Sequence, residues 1–287
     1  MLVGSSDSAI TLGAAGAGDS AYGLINRGSI EAAGVYKDVD AKAVQIGGTG
    51  QDVTVVGGFR NEGTIVSSAV SANSSTVLVG SGASLPTIFN SGAIQGSIAT
   101  SDADTASGVL IQSGANVGSI SNSGNIAVAV NGSKGSAVAI RDESGTLSTI
   151  NNTGRIIAVV TPEKDVERTG SAIAVDVSAN TTGVTFVQDG VVIPDNKLPD
   201  ADGDGVPDAN EPGIVGDIRF GSGADVLDLR NGTVNGDISF GTGADRLSIS
   251  GGAVVKGKLS NDDGQLDIDI SKGSWTLSRP PAWISPA

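Results

Sequence analysis

The chain has no cysteine and no histidine among its 287 residues. Without thiols there are no disulfides and no thiolate metal sites. Without imidazole, Ser-His-Asp and Cys-His nucleophilic machinery, a histidine general base and nearly all zinc sites are excluded. Large aromatic side chains are scarce as well, with five Phe, two Trp and two Tyr. No apolar run reaches the ~18 residues of a membrane-spanning helix. The opening MLVGSSDSAITL lacks the basic and apolar regions of a signal peptide. Basic residues number 17 against 31 acidic ones, and the net charge of −14 argues against nucleic acid or an anionic membrane as partner.

Glycine is the residue in excess: 43 copies, about twice the usual ~7 % share. Together with Val, Ile, Leu and Ala it suits a thin core. These residues are arranged periodically. INRGSI, RNEGTI, FNSGAI, SNSGNI and NNTGRI all read Asn, any residue, Gly, any residue, Ile. Their Asn residues stand at 26, 61, 90, 122 and 152, so the intervals are 35, 29, 32 and 30 residues. A degraded sixth copy, QDGVV, begins at Gln188. Self-similarity at a period of roughly 20 to 50 residues is the mark of a solenoid or repeat array.

A second phrase keeps step with the first: SAITL, KAVQI, STVLV, SGVLI, SAVAI and SAIAV, centred on Ile10, Val44, Val77, Val109, Val138 and Ile173. Each unit therefore holds a short alternating strand, a turn, a second strand ending at the Asn, and a third strand after the Gly. Asn and Gly both tolerate left-handed backbone, which suits the turn. Stacked Asn side chains can bond from coil to coil. No stretch carries a 3.6-residue period with caps. The expected fold is all-β: a parallel β-helix, or β-solenoid, with right-handed crossovers and coils ~4.8 Å apart.

After Gly213 the repeat shortens to 20 residues, with copies at 216–235, 236–255 and 256–275. The expected organisation is a solenoid of ~30-residue coils over 1–194. An acidic insertion over 195–213, a solenoid of ~20-residue coils over 214–275 and a Pro-rich tail over 276–287 follow it. Nine coils are counted in all, six long and three short. The segments between one unit's third strand and the next unit's first vary most, TPEKDVERTG being one of them, and would line one edge.

The Asn-x-Gly-x-Ile phrases and the stretch from FGSGADVLDL to FGTGADRLSI together resemble passenger domains of bacterial autotransporters. The resemblance covers about residues 8–275 and is one of repeat style. It implies a secreted β-helix at the surface of a Gram-negative cell, in adhesion or biofilm contact. A host surface, glycan or matrix component would be its partner. The family's own outer-membrane barrel and signal sequence are expected outside this chain, read as an internal piece of a longer protein. The alternative is a β-helix polysaccharide lyase or glycoside hydrolase, with Asp225, Asp228, Asp267 and Asp269 as candidate carboxylates. FGSGADVLD and FGTGADRLS are also similar to the calcium nonapeptide of repeats-in-toxin proteins, with Phe220 and Phe240 in place of the first Gly. That resemblance would put calcium at Asp225 and Asp245.

The most specific motif is DADGDGVPDANE, residues 200–211. Asp200, Asp202, Asp204, Asp208 and Glu211 occupy positions 1, 3, 5, 9 and 12 of a calcium loop, with Gly205 at the sharp-turn position 6. A hard dication needs six to eight oxygens, and alternate residues of a curled loop point inward to supply them. Val206 at position 7 would add its backbone carbonyl, and Glu211 would bind through both oxygens. Pro199, Pro207 and Pro212 rule out the paired helices of an EF-hand. These dozen residues are more similar to the calcium loops of thrombospondin type 3 repeats. Calcium in a structural role is the expected cofactor.

Overall fold

The computed structural model describes residues 1–18, 21–100, 103–194 and 197–276. Three long parallel sheets run the length of the chain, two of nine strands and one of 11. Each coil lays one strand on the first sheet, one on the second and one on the third, except that the first two coils each lay two short strands on the second, Ile10–Leu12 with Leu24–Asn26 and Val53–Val55 with Phe59–Asn61. In the fourth coil these are Thr105–Ile111, Asn116–Asn122 and Asn125–Asn131. Nine coils stack in sequence order, so every strand pairs with its counterparts in the coils before and after. This is a parallel β-solenoid.

Sequence alternation explains why each strand has one inward face. Strand Thr64–Val70 alternates between buried and half-buried positions, as a half-wrapped sheet requires. The Ile of the repeated phrase forms one unbroken column through the core. Ile30, Ile65, Ile94, Ile126 and Ile156 stack in register, followed by Ile214, Val234, Val255 and Trp275. Burying each such side chain is worth roughly 1.5–3 kcal/mol. The core is thus a row of equal, local contributions rather than one centre.

The motif glycines have a reason different from the one expected. None of Gly63, Gly92, Gly124 and Gly154 is in the left-handed region, and neither are the motif asparagines. Instead, a Cβ on Gly63 would run into the carbonyl oxygen of Gly28 in the coil below. The same clash recurs between Gly92 and Gly63, Gly124 and Gly92, and Gly154 and Gly124. Glycine is there because successive turns touch.

Three register expectations need correction. Ile10 pairs with Val53 on the second sheet, and the first coil's contribution to the first sheet is Leu2–Val3. Val138 pairs with Ser107 and Ile173 with Val138; the residues level with Val109 are Ile140 and Val175. A slip of two keeps the same face inward, so Val138 and Ile173 remain buried. The third concerns QDGVV. Gln188 ends its strand as expected, but no strand begins at Val191, and Val192 is 60 % exposed. The chain leaves the solenoid there and rejoins the third sheet at Gly213–Val215.

Coil shortening follows from that return. Third-sheet strands fall from seven residues at Arg155–Thr161 to three at Gly213–Val215. Gly216 alone, and Gly236 with Asp237, then turn the chain directly into the next coil. In the narrower section Phe220 and Phe240 stack with centroids 4.8 Å apart, and both are buried. They stand as core, at the place where the calcium nonapeptide would have glycine. Of the Pro-rich tail, all but Thr276 lies outside the described residues.

Candidate metal centre and the buried polar ladder

At the corner between the second and third sheets, the motif asparagines are buried and joined in series. Asn26 Nδ2 donates to Asn61 Oδ1 at 2.7 Å, Asn61 to Asn90 at 2.7 Å, Asn90 to Asn122 at 2.8 Å and Asn122 to Asn152 at 2.8 Å. Asn152 passes the series to Gln188 Oε1 at 3.0 Å. Gln188 Nε2 then donates to the backbone oxygen of Asn231 at 3.0 Å, in the seventh coil. A buried amide costs free energy unless its donors and acceptors are met. Here each coil supplies what the coil below lacks.

The 200–211 loop lies on this same corner. It belongs to the excursion between Gln188 and Gly213, which replaces the two-residue turn of earlier coils. Asp200, Asp202 and Asp204 each offer a carboxylate oxygen, and these lie within 4.8 Å of one another. Among the described residues this is the only group of three or more such ligands. Local amides hold the curl: Asp200 accepts from Gly203 N at 2.8 Å and Gly205 N at 3.0 Å, and Asp204 accepts from Val206 N at 2.8 Å. Gly203 and Gly205 are in the left-handed region, which permits the tight path.

The remaining motif residues are placed differently. Asp208 starts a short 3-10 turn, Asp208–Asn210, and accepts from the Ala201 amide at 2.8 Å. Glu211 stands outside the three-carboxylate group, yet burial and the charges of Asp202, Asp204, Asp208 and Asp200 raise its pKa. Asp202 is raised too, by burial first and then by Asp204. Among the described residues, no Lys or Arg forms an ion pair with any of these five acids. Their mutual repulsion is the field a divalent cation would relieve. Val206 is buried and anchors the loop, its side chain lying over Gly190, where a Cβ would not fit.

Of the carboxylates considered for sugar cleavage, Asp228, Asp267 and Asp269 share the outward face of the second sheet, and Asp225 is buried away from them. Asp228, Ser248 and Asp269 share one column of the second sheet, and Asp267 is level with Arg246 and Val226. Asp228 is ion-paired with Arg230 at 2.8 Å. Asp225 is fully buried at the coil corner, where its Oδ1 accepts from the Val184 amide at 2.7 Å. Asp245 repeats the arrangement one coil on, accepting from the Asp225 amide at 2.9 Å. Each residue thus accepts a turn amide through Oδ1 at the position the nonapeptide resemblance assigns to calcium, and Asp225 Oδ2 is buried without a hydrogen-bond partner. Burial pushes the Asp225 carboxyl up to about 6.

Sequence reasoning did not single out Asn231, which is buried and touches Asp204 Oδ2 through Nδ2. It stands outside both repeated phrases, and only folding brings it to the loop. No protein-family model, curated protein or solved structure matches the chain.

Proposed function

We propose that the chain is a non-enzymatic, extended β-solenoid of the autotransporter-passenger kind. In this reading it is displayed at a bacterial surface for adhesion or surface structure and carries one structural calcium site. The observation that carries the reading is the combination of stacked coils with a single acidic loop docked on their buried polar corner. The stack suits a spacer or adhesive rod. The loop offers Asp200, Asp202 and Asp204 as first ligands. The Val206 carbonyl, Asp208 and Glu211 complete the expected set as the loop tightens on the ion. Calcium of extracellular grade, with Kd of ~10⁻⁴ to 10⁻³ M, suits a half-buried surface loop.

Two measurements test this reading. Calorimetry with millimolar calcium should show one site, lost in Asp204→Ala. At ~1 mM calcium and a Kd of ~0.1 mM the melting free energy should rise by ~1.4 kcal/mol. No heat and no melting shift up to about 10 mM would remove the metal. Antibody labelling of intact source cells tests the placement, and labelling seen only after lysis would overturn it. Binding to arrays of glycans and matrix proteins would then identify the partner class. Release of oligosaccharides from a polysaccharide panel would instead favour the hydrolase or lyase.

A further inference from the structure

The loop does not stand alone; it lies across three successive coils. Val206 packs over Gly190 of the sixth coil, where a Cβ would also meet the Asn231 amide, its Nδ2 2.9 Å away. Asp202 Oδ2 leans on Gly252 of the eighth coil, 2.7 Å from where a Cβ would sit. Between them, in the seventh coil, is Asn231. It is 3 % exposed, its Nδ2 faces Asp204 Oδ2, and its Oδ1 is buried without a hydrogen-bond partner. An amide oxygen buried without a donor is costly. This one belongs to a side chain already in contact with the carboxylate group.

We propose that Asn231 is a ligand of the cation site, supplying its side-chain oxygen from the solenoid to an ion held by Asp200, Asp202 and Asp204. The inference rests on the calcium reading and adds a residue that the loop motif does not contain. The oxygen and nitrogen ends of an amide have nearly the same shape, and a half-turn about χ2 exchanges them. Without a cation, the nitrogen end toward Asp204 is the favourable one, because a donor meets an acceptor. With a cation among the carboxylates, the oxygen end is favoured, since hard dications take oxygen ligands and repel donors. Asn231 also accepts the last ladder bond, from Gln188, through its backbone. Ion binding would therefore fasten the excursion to the polar ladder of the solenoid, so the cation acts as a clamp on the coil at which the repeat shortens.

The test is calcium calorimetry on the full chain in three forms. Wild type should bind one calcium. Asn231→Ala should bind at least about tenfold more weakly, the loss typical of a changed metal-site residue. Asn231→Asp should bind as tightly as wild type or more tightly, because it restores a ligand oxygen while removing the donor to Asp204. That variant separates a ligand from a mere anchor: if Asn231 serves only by donating to Asp204, aspartate weakens binding and the proposal falls. Should Asn231→Ala fail to fold, the Asp variant alone decides. Equal affinity in wild type and Asn231→Ala overturns the ligand role while leaving the calcium loop standing. Absence of binding in wild type overturns both. Asn210→Ala, an exposed neighbour in the same excursion, should leave the affinity unchanged.

Discussion

Asn152 donates its side-chain amide to Gln188 Oε1 at 3.0 Å and accepts from Asn122 at 2.8 Å, so the buried ladder survives a change of residue type. Its chain neighbour Asn151 points the other way and is exposed. Identical residues one position apart are therefore expected to behave oppositely. Asn152→Ala leaves the buried Gln188 Oε1 without its donor, while Asn122 Nδ2 keeps the Gly124 and Arg155 carbonyls, so the expected cost is about 1–3 kcal/mol. Asn151→Ala should stay within about 0.5 kcal/mol of wild type. Urea unfolding followed by circular dichroism measures both, and equal costs would refute the ladder.

The motif glycines give a second contrast. A Cβ at Gly124 would strike Gly92 of the preceding coil, whereas a Cβ at Gly28, in the first coil, meets nothing within 4 Å. Gly124→Ala is expected to cost about 1–3 kcal/mol by overpacking. Gly28→Ala should be neutral, or stabilising by up to about 1 kcal/mol through the unfolded chain. Comparable losses at both positions would mean that the glycines serve backbone freedom rather than close stacking.

Asp225 makes the stability pH-dependent. Burial is the largest cause of its raised pKa, opposed by the bond from Val184 and reinforced by the charge of Asp245. The native state holds this proton up to about pH 6, whereas an unfolded Asp releases it near pH 3.9. Stability from this group is therefore greatest below the unfolded value and falls as the pH rises through about 6. Asp225→Asn keeps an oxygen for the Val184 amide and removes the charge. It should raise stability at pH 8 by up to about 3 kcal/mol and flatten the profile between pH 4 and 6. Thermal melts across that range check the sign, and a variant less stable than wild type at pH 8 would contradict it.

The repeated phrases made the solenoid legible because one residue type recurs at each critical position. Asn must both donate and accept along the ladder, Gly must admit the coil below, and Ile must fill the same core column. Legibility fails where several residue types do one job. Asp142, Asn180 and Asp225 all accept loop amides at the corner between the first and second sheets, and no shared letter marks them. The sixth coil's third-sheet strand is hidden in the sequence because Val191 and Val192 imitate the motif strand, while the residues that join the third sheet come more than 20 positions later. Of the acidic loop, the spacing of Asp200, Asp202 and Asp204 was readable from local chain curl alone. The part played by Asn231 depends on two coils meeting, which no local pattern records.

Every bond of the Asn ladder points the same way, each coil donating to the next and accepting from the one before. Oriented side-chain amides are small dipoles that add when aligned, and neighbouring bonds polarise one another in a weakly screened interior. The solenoid thus carries an electrical axis, negative toward its first coil and positive toward its seventh. The acidic loop sits at the positive pole. An array of side chains here does for part of a β-rod what aligned peptide groups do for an α-helix: it gives the two ends of the ladder opposite signs.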